Sequence, residues 1–238
     1  MSSLAGTRHQ FLSSPLFGIT LTVAAYTVAL RLWHRSGRSA LLTPVLVAIA
    51  LVVAFLELSG VTYQDYLVGG SFLSFLLGPA TVALAVPLHR ASSSIRQLAL
   101  PVLAGVACGC LAAMATGIVV VRALHGGLAL EATIAPKSAT TPIAIVLADS
   151  SGGIASLAAV LTVLTGVLGA VFGPMLLGLV GVSDPRLRGL ALGVSSHGIG
   201  TSRAIQEGPV QGAFAALAMA MSGVLTALAL PAVLRLLG

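Results

Sequence analysis

Residues 15–32, 41–58, 67–88, 98–121, 128–148, 154–182, 189–205 and 212–236 form eight apolar stretches joined by short polar gaps. A helix needs about 20 predominantly apolar residues to cross the hydrocarbon core of a bilayer, and several of these stretches reach that length. Only 8% of the chain is charged, whereas a soluble domain carries about 25%. Too few water-facing groups remain to clothe a soluble surface. The chain therefore reads as one all-α membrane domain over residues 1–238, a polytopic transmembrane bundle of about seven or eight segments. Residues 1–14 are a short polar tail. The tail shows neither a cleavable signal peptide nor an Arg-rich transit pattern, so the first stretch is expected to direct insertion.

A net charge of +6 invites a nucleic-acid reading, but the basic residues sit in small groups at the ends of apolar stretches. Arg31, His34, Arg35 and Arg38 form one group, His89, Arg90 and Arg96 another, and Arg186 and Arg188 a third. Such groups hold topology by the positive-inside bias, and no basic stripe interleaves with aromatics. The first and third loops are thus expected on the cytoplasmic side, with the N-terminus outside. Placing Arg186 and Arg188 inside as well requires one later segment to be re-entrant. Cys108 and Cys110 lie within an apolar stretch and point to different helix faces, which suits small apolar packing rather than a disulfide or metal site.

The first, second, fourth and last stretches read as unbroken spans. The sixth is long and carries Gly173-Pro174 near its end, a place to tilt or kink. The third, fifth and seventh are interrupted. The third holds Leu77-Gly78-Pro79-Ala80-Thr81, the fifth runs through Pro136 to Pro142, and the seventh reads Ser195-Ser196-His197-Gly198-Ile199-Gly200-Thr201-Ser202-Arg203. Proline removes a backbone donor and clashes with the preceding turn, while Gly, Ser and Thr favour non-helical backbone. Unwound backbone survives at membrane depth only where protein or a water-filled cavity satisfies it. Broken segments of this kind build the midplane sites of secondary transporters, so the breaks are expected to line a central polar cavity. A faint likeness between GPATVALAVPL and SATTPIAIVL hints at an internal repeat.

Lys137 is the sole lysine, set between two apolar stretches and flanked by prolines. An ammonium at the bilayer centre costs several kcal/mol unless it is paired or wet. Lys137 would supply the positive charge for a carboxylate, with Ser138, Thr140 and Thr141 adding hydroxyls and freed N–H groups. A half-helix starting at Pro142 would aim its positive end at the same place. The structural alternative is a shallow loop from which Lys137 snorkels to headgroups. The second constellation is His197, Gly198, Gly200, Thr201 and Arg203: the glycines free the backbone, Arg203 offers a planar fork for a carboxylate, and His197 is placed to bind or carry a proton. Its structural alternative is an Arg203–Glu207 pair at the end of a surface helix. Gly78, Pro79 and Thr81, with Ser150 and Ser151, are candidate cavity walls, for which a packing kink is the alternative. Glu57, Glu131 and Asp149 sit at segment ends and read as interfacial. Ser195 beside His197 lacks the orienting acid of a hydrolase triad, and the five histidines are scattered without ligand spacing, so no enzyme, cofactor or metal is expected.

The strings SFLLGPATVALAVPL, APKSATTPIAI, TGVLGAVFGP and LALGVSSHGIGTSRAIQEG, in that order, resemble the LrgB/CidB family from about residue 15 to the C-terminus. KSxTTPIA followed by SHGIGTxRA is the specific combination. The resemblance implies a multi-pass protein of the bacterial inner membrane, with relatives in the plastid envelope. It implies antiholin-like modulation of murein hydrolase activity and lysis, and, through other relatives, transport of pyruvate, glycolate or glycerate. A small membrane partner of the LrgA/CidA type is implied beside the lipid, and a homo-oligomer is open. Where this family more often has Pro and Thr, this chain has Ala155 and Ala158, a departure that bears on substrate identity.

Two functions follow as expectations. One is a transporter or facilitator of a small monocarboxylate, read by Lys137 and Arg203 across a cavity. The other is a non-enzymatic antiholin-like regulator, acting through helix faces rich in small residues such as Gly166, Gly169 and Gly173.

Overall fold

The computed structural model describes residues 12, 14–37, 42–76, 79, 83, 89 and 97–237. These residues are helical, with no strand among them. The chain divides into two compact units, residues 1–83 and 84–238.

The first unit contains α1 (Pro15–Arg35), α2 (Pro44–Ser59) and α3 (Tyr63–Phe75). Pro15 and Pro44 open their helices at positions where no N–H is needed, and Gly60, at φ 68°, closes α2 in the left-handed conformation. Ala25 and Ala29 of α1 pack with Ala48 and Val52 of α2. Thr22 and the Tyr66 hydroxyl lie 2.9 Å apart and tie α1 to α3. At 16 residues α2 is shorter than the full span expected of the second stretch, because Pro44 and Gly60 set its ends.

The second unit contains α4 (Ala99–Ala123), α5 (Leu128–Ile134), α6 (Thr141–Ser150), α7 (Ala155–Leu179), α8 (Pro185–Glu207) and α9 (Pro209–Leu237). Among the described residues, four helices are long and apolar enough to cross a membrane: α1, α4, α7 and α9. Pro174 lies inside α7 without ending it.

The fifth stretch splits into α5 and α6, which form a re-entrant hairpin. Contacts descend α4 in reverse order: Glu131 binds Arg122, Ile134 lies against Gly117, and Lys137 reaches the Ala113 carbonyl. The chain thus re-enters antiparallel to α4, turns over residues 135–140, and returns along α6. Its end meets its beginning, since the Thr133 hydroxyl accepts a 2.8 Å bond from the Ile154 N–H. Both legs therefore open on the face where α4 ends and α7 begins.

The seventh stretch is a second hairpin. His197 adopts φ 42° and ψ −129° and divides α8 into two legs. In a straight helix Arg188 and Glu207 would stand about 28 Å apart; their side chains lie 3.3 Å apart. A β-carbon on Gly200 would strike the Leu192 carbonyl of the other leg. This hairpin also climbs its neighbour in reverse: Arg188 reaches Pro174, Leu192 lies against Gly173, Ser196 against Gly169, and His197 against Gly166. It enters where α7 ends, the face opposite to that of the α5–α6 hairpin. Arg186 and Arg188 share that end of the unit with the start of α4.

The first α8 leg then runs parallel to α9 with backbones nearly touching. A β-carbon on Gly189 would meet the Gln211 carbonyl, and one on Gly193 the Ala215 carbonyl. The core around them comprises Val102, Val106, Cys110, Met114 and Ile118 of α4, with Val194, Phe214, Ala218 and Leu230. Lipid tails are as apolar as these side chains, so close packing rather than water exclusion drives such contacts.

Adding a methyl where backbones touch is expected to cost about 1–3 kcal/mol. Gly193→Ala and Gly200→Ala should each lower the thermal unfolding midpoint in detergent. Gly105→Ala, which meets nothing within 4 Å, should leave it unchanged.

Candidate functional site

The first hairpin tip is the turn at residues 135–140. Ala135, Pro136, Ser138 and Ala139 are buried there, while Lys137 and Thr140 are half-buried. The Lys137 ammonium donates to the Ala113 carbonyl at 2.5 Å. Space for it exists because residue 117 is glycine; a β-carbon there would lie 3.0 Å from Nζ. Thr140, at φ −66° and ψ 149°, is the N-cap of α6, with Pro142 in the first turn. Its side chain makes no capping bond, so the first N–H groups of α6 face the tip. Lys137, Ser138, Thr140 and Thr141 are thus brought together, and the ammonium turns inward instead of snorkelling.

The second tip is the bend at residues 195–199. Ser196 and His197 are buried, and Ser195 and Gly198 exposed. The φ of 42° at His197 lies in a region that favours glycine, a strain that persists only where surroundings over-determine it. Two bonds do so here. His197 Nε2 lies 2.9 Å from the Thr162 carbonyl, which can only accept, so Nε2 carries the hydrogen and Nδ1 of the neutral ring is the acceptor. The Thr201 hydroxyl donates to the His197 carbonyl at 2.8 Å. Gly166 leaves room for the ring, with a β-carbon there 2.7 Å from Cε1.

Both tips stand at one level of α4. Lys137 contacts Ala113, and Val194, just before the second tip, contacts Gly109, one helical turn away.

Other expected site residues lie elsewhere. Arg203 is six residues past His197, where its Nε lies 3.4 Å from the Glu207 carboxylate. Glu207 also pairs with Arg188, so Arg203 belongs to the closed end of the second hairpin and is not joined to Lys137. Gly200 and Thr201 form the first turn behind the second tip. Ser150 and Ser151 end α6 at the base of the first hairpin, where Ser150 donates to the Leu147 carbonyl. Gly78 and Thr81 lie outside the described residues, and Pro79 is exposed in the first unit. Gly166, Gly169 and Gly173 face the α8 hairpin, not an outer surface.

One pair escaped the sequence reading. Glu131 is buried and receives two bonds, 2.8 and 2.7 Å, from the Arg122 guanidinium, fixing the corner between α4 and α5. Its signal was an arginine and an acid on either side of the short loop 124–127. At the mouth of the other hairpin, Asp184 caps α8 and binds the Arg186 N–H and guanidinium. Those bonds hold its carboxyl below the usual carboxylate range.

Residues 22–236 match the model of the LrgB-like family. The chain belongs to the LrgB-like family. It is 32% identical over 225 residues to the Antiholin-like protein LrgB of Bacillus subtilis (strain 168), covering 94% of this chain and 97% of that one. It is 35% identical over 217 residues to the Uncharacterized protein YwbG of the same organism, covering 91% and 96%. With the Antiholin-like protein LrgB of Bacillus cereus (strain B4264) it shares 30% identity over 225 residues, covering 94% and 98%. No solved structure matches this LrgB-like chain. Its long apolar helices and these relatives make it a multi-pass membrane protein.

Glycine suits the His197 backbone and alanine does not. His197→Gly and His197→Ala both lose the bond to Thr162, so their difference isolates the strain. The glycine variant should be more stable by about 1–2 kcal/mol in thermal unfolding; equal midpoints would contradict a strained tip.

Proposed function

We propose that this LrgB-like protein carries small monocarboxylates across the membrane, and that its two opposed hairpin tips form the binding site. The observation that carries the reading is Lys137, whose ammonium is held on the Ala113 carbonyl near the middle of α4, with the His197 tip of the second hairpin packed on α7 in the same unit. A carboxylate leaving water needs charged or strong donors in its place. Lys137 has three donors and gives one to Ala113, which leaves two for a ligand. The exposed N–H groups at the start of α6 add partial positive charge. Ser138, Thr140, Thr141, Ser195 and Gly198 supply the polar surroundings that a hydroxylated or keto acid requires. Arg203, held by Glu207, braces the second hairpin instead of touching the ligand. The reading needs no covalent chemistry. By the charge bias, the face with Arg186 and Arg188 is cytoplasmic, so a bacterial inner membrane is the natural setting.

A second reading draws on the relatives called antiholin-like: regulation of lysis beside a small LrgA-type membrane partner. Flux of a carboxylate through the site and control of lysis are compatible.

Uptake of labelled pyruvate or glycolate into proteoliposomes separates them. The wild type should exceed empty liposomes, and Lys137→Met should lower uptake roughly tenfold or more, the loss of a charged hydrogen bond. Wild-type uptake equal to empty liposomes, or an unaffected Lys137→Met variant, would contradict transport. Lysis control that survives Lys137→Met would favour the regulator.

A further inference from the structure

The two hairpins are anchored to their neighbouring helices in the same way. Lys137 donates to the carbonyl of Ala113 and sits over Gly117, four residues on. His197 donates to the carbonyl of Thr162 and sits over Gly166, again four residues on. The helical segments below them share a pattern, Thr116-Gly117-Ile118 and Thr165-Gly166-Val167. Both helices, α4 and α7, are 25 residues long, and each is followed by a hairpin packed back along it. They run in opposite directions, so the hairpins enter from opposite faces.

We propose that residues 99–150 and 155–207 are inverted copies of one helix-plus-hairpin unit, in which Gly117 and Gly166 seat Lys137 and His197 as the latches of two gates, one opening to each face. The physical reason for the glycine is direct. A carbonyl inside a helix already accepts from the N–H four residues on, and a second donor reaches it only where the residue at that next turn leaves space. A side chain at 117 or 166 fills that space. The latch lies seven residues nearer the start of α7 than of α4, and the first leg of the second hairpin, Pro185 to His197, is three residues longer than Leu128 to Lys137.

The base of each hairpin is pinned separately, by Arg122–Glu131 at the first and by Arg188–Glu207 at the second. Pinned at its base and bonded at its tip, each hairpin can part from its neighbouring helix at the tip, while the first α8 leg stays packed on α9. This inference rests on the transport reading for its purpose: a carboxylate that draws the Lys137 ammonium from the Ala113 carbonyl, or the His197 N–H from the Thr162 carbonyl, releases that tip. Inverted repeats meeting at a shared site are the architecture by which secondary transporters alternate access.

Sided labelling tests the inference without any substrate. In a Cys108→Ala, Cys110→Ala background, Ser138→Cys reports on the first tip and Ser195→Cys on the second. A membrane-impermeant maleimide is applied to right-side-out and to inside-out vesicles. Gly117→Val should raise labelling of the first reporter about fivefold or more, from the face where α4 ends. Gly166→Val should do the same for the second reporter, from the opposite face. Gly105→Val and Gly178→Val, which meet open space on the same two helices, should change neither. If the valine variants fail to fold, Lys137→Met and His197→Phe remove the latches directly and should give the same sided increases. Increases from a single face, or none in folded protein by either route, would overturn the inverted gates. Sided increases together with absent uptake would leave the gates standing and sink only the transport reading.

Discussion

A peptide group without a hydrogen-bond partner costs several kcal/mol in hydrocarbon, and the second unit is organised around sheltering two interruptions of its helices at membrane depth. At the second break Ser196 and His197 are buried, while Ser195 and Gly198 are exposed. The 135–140 turn is covered by α4, and its cap region by the start of α6. The 195–199 turn is covered by α7 and α9. At the second break the His197 carbonyl accepts from Thr201, and the base of the first hairpin is closed by Thr133 on the Ile154 N–H. The hairpin is the form this shelter takes, since a leg that goes in and comes back on one face keeps its bare turn inside the protein.

Such shelter depends on how closely helices approach. Gly189 and Gly193 let the first α8 leg lie on the α9 backbone, and Gly200 lets the two α8 legs lie on each other. The same device operates at the tips for a different end. Gly117 and Gly166 admit not a backbone but a basic side chain, Lys137 at the first and His197 at the second.

The interruptions themselves were legible from residues alone. Pro136 and Pro142 forbid a continuous fifth span, and Gly198 and Gly200 beside Ser195 and Ser196 weaken the seventh. Family membership was legible from KSxTTPIA and SHGIGTxRA. The direction of each hairpin was not, because it is fixed by pairings between distant residues: Arg188 with Glu207, Arg122 with Glu131, Val194 with Gly109. Arg203 shows the limit most clearly. Its guanidinium suits a carboxylate ligand, yet Glu207 stands four residues on in the same leg, and that local pairing is the one observed. Pro174, read as a place to tilt or kink, lies inside α7, and its carbonyl receives Arg188.

The account stands on the two hairpins entering from opposite faces and ending at one depth. Spin labels placed one at a time in the cysteine-free protein, at Ser138, Ser151, Ser195 and Gln206, measure that depth by their collision rates with oxygen and with a water-soluble nickel complex. The account predicts Ser151 and Gln206 at opposite interfaces, with Ser138 and Ser195 both near the bilayer centre. A label at Ser195 that reads at an interface, or bases that read at the same interface, would contradict it.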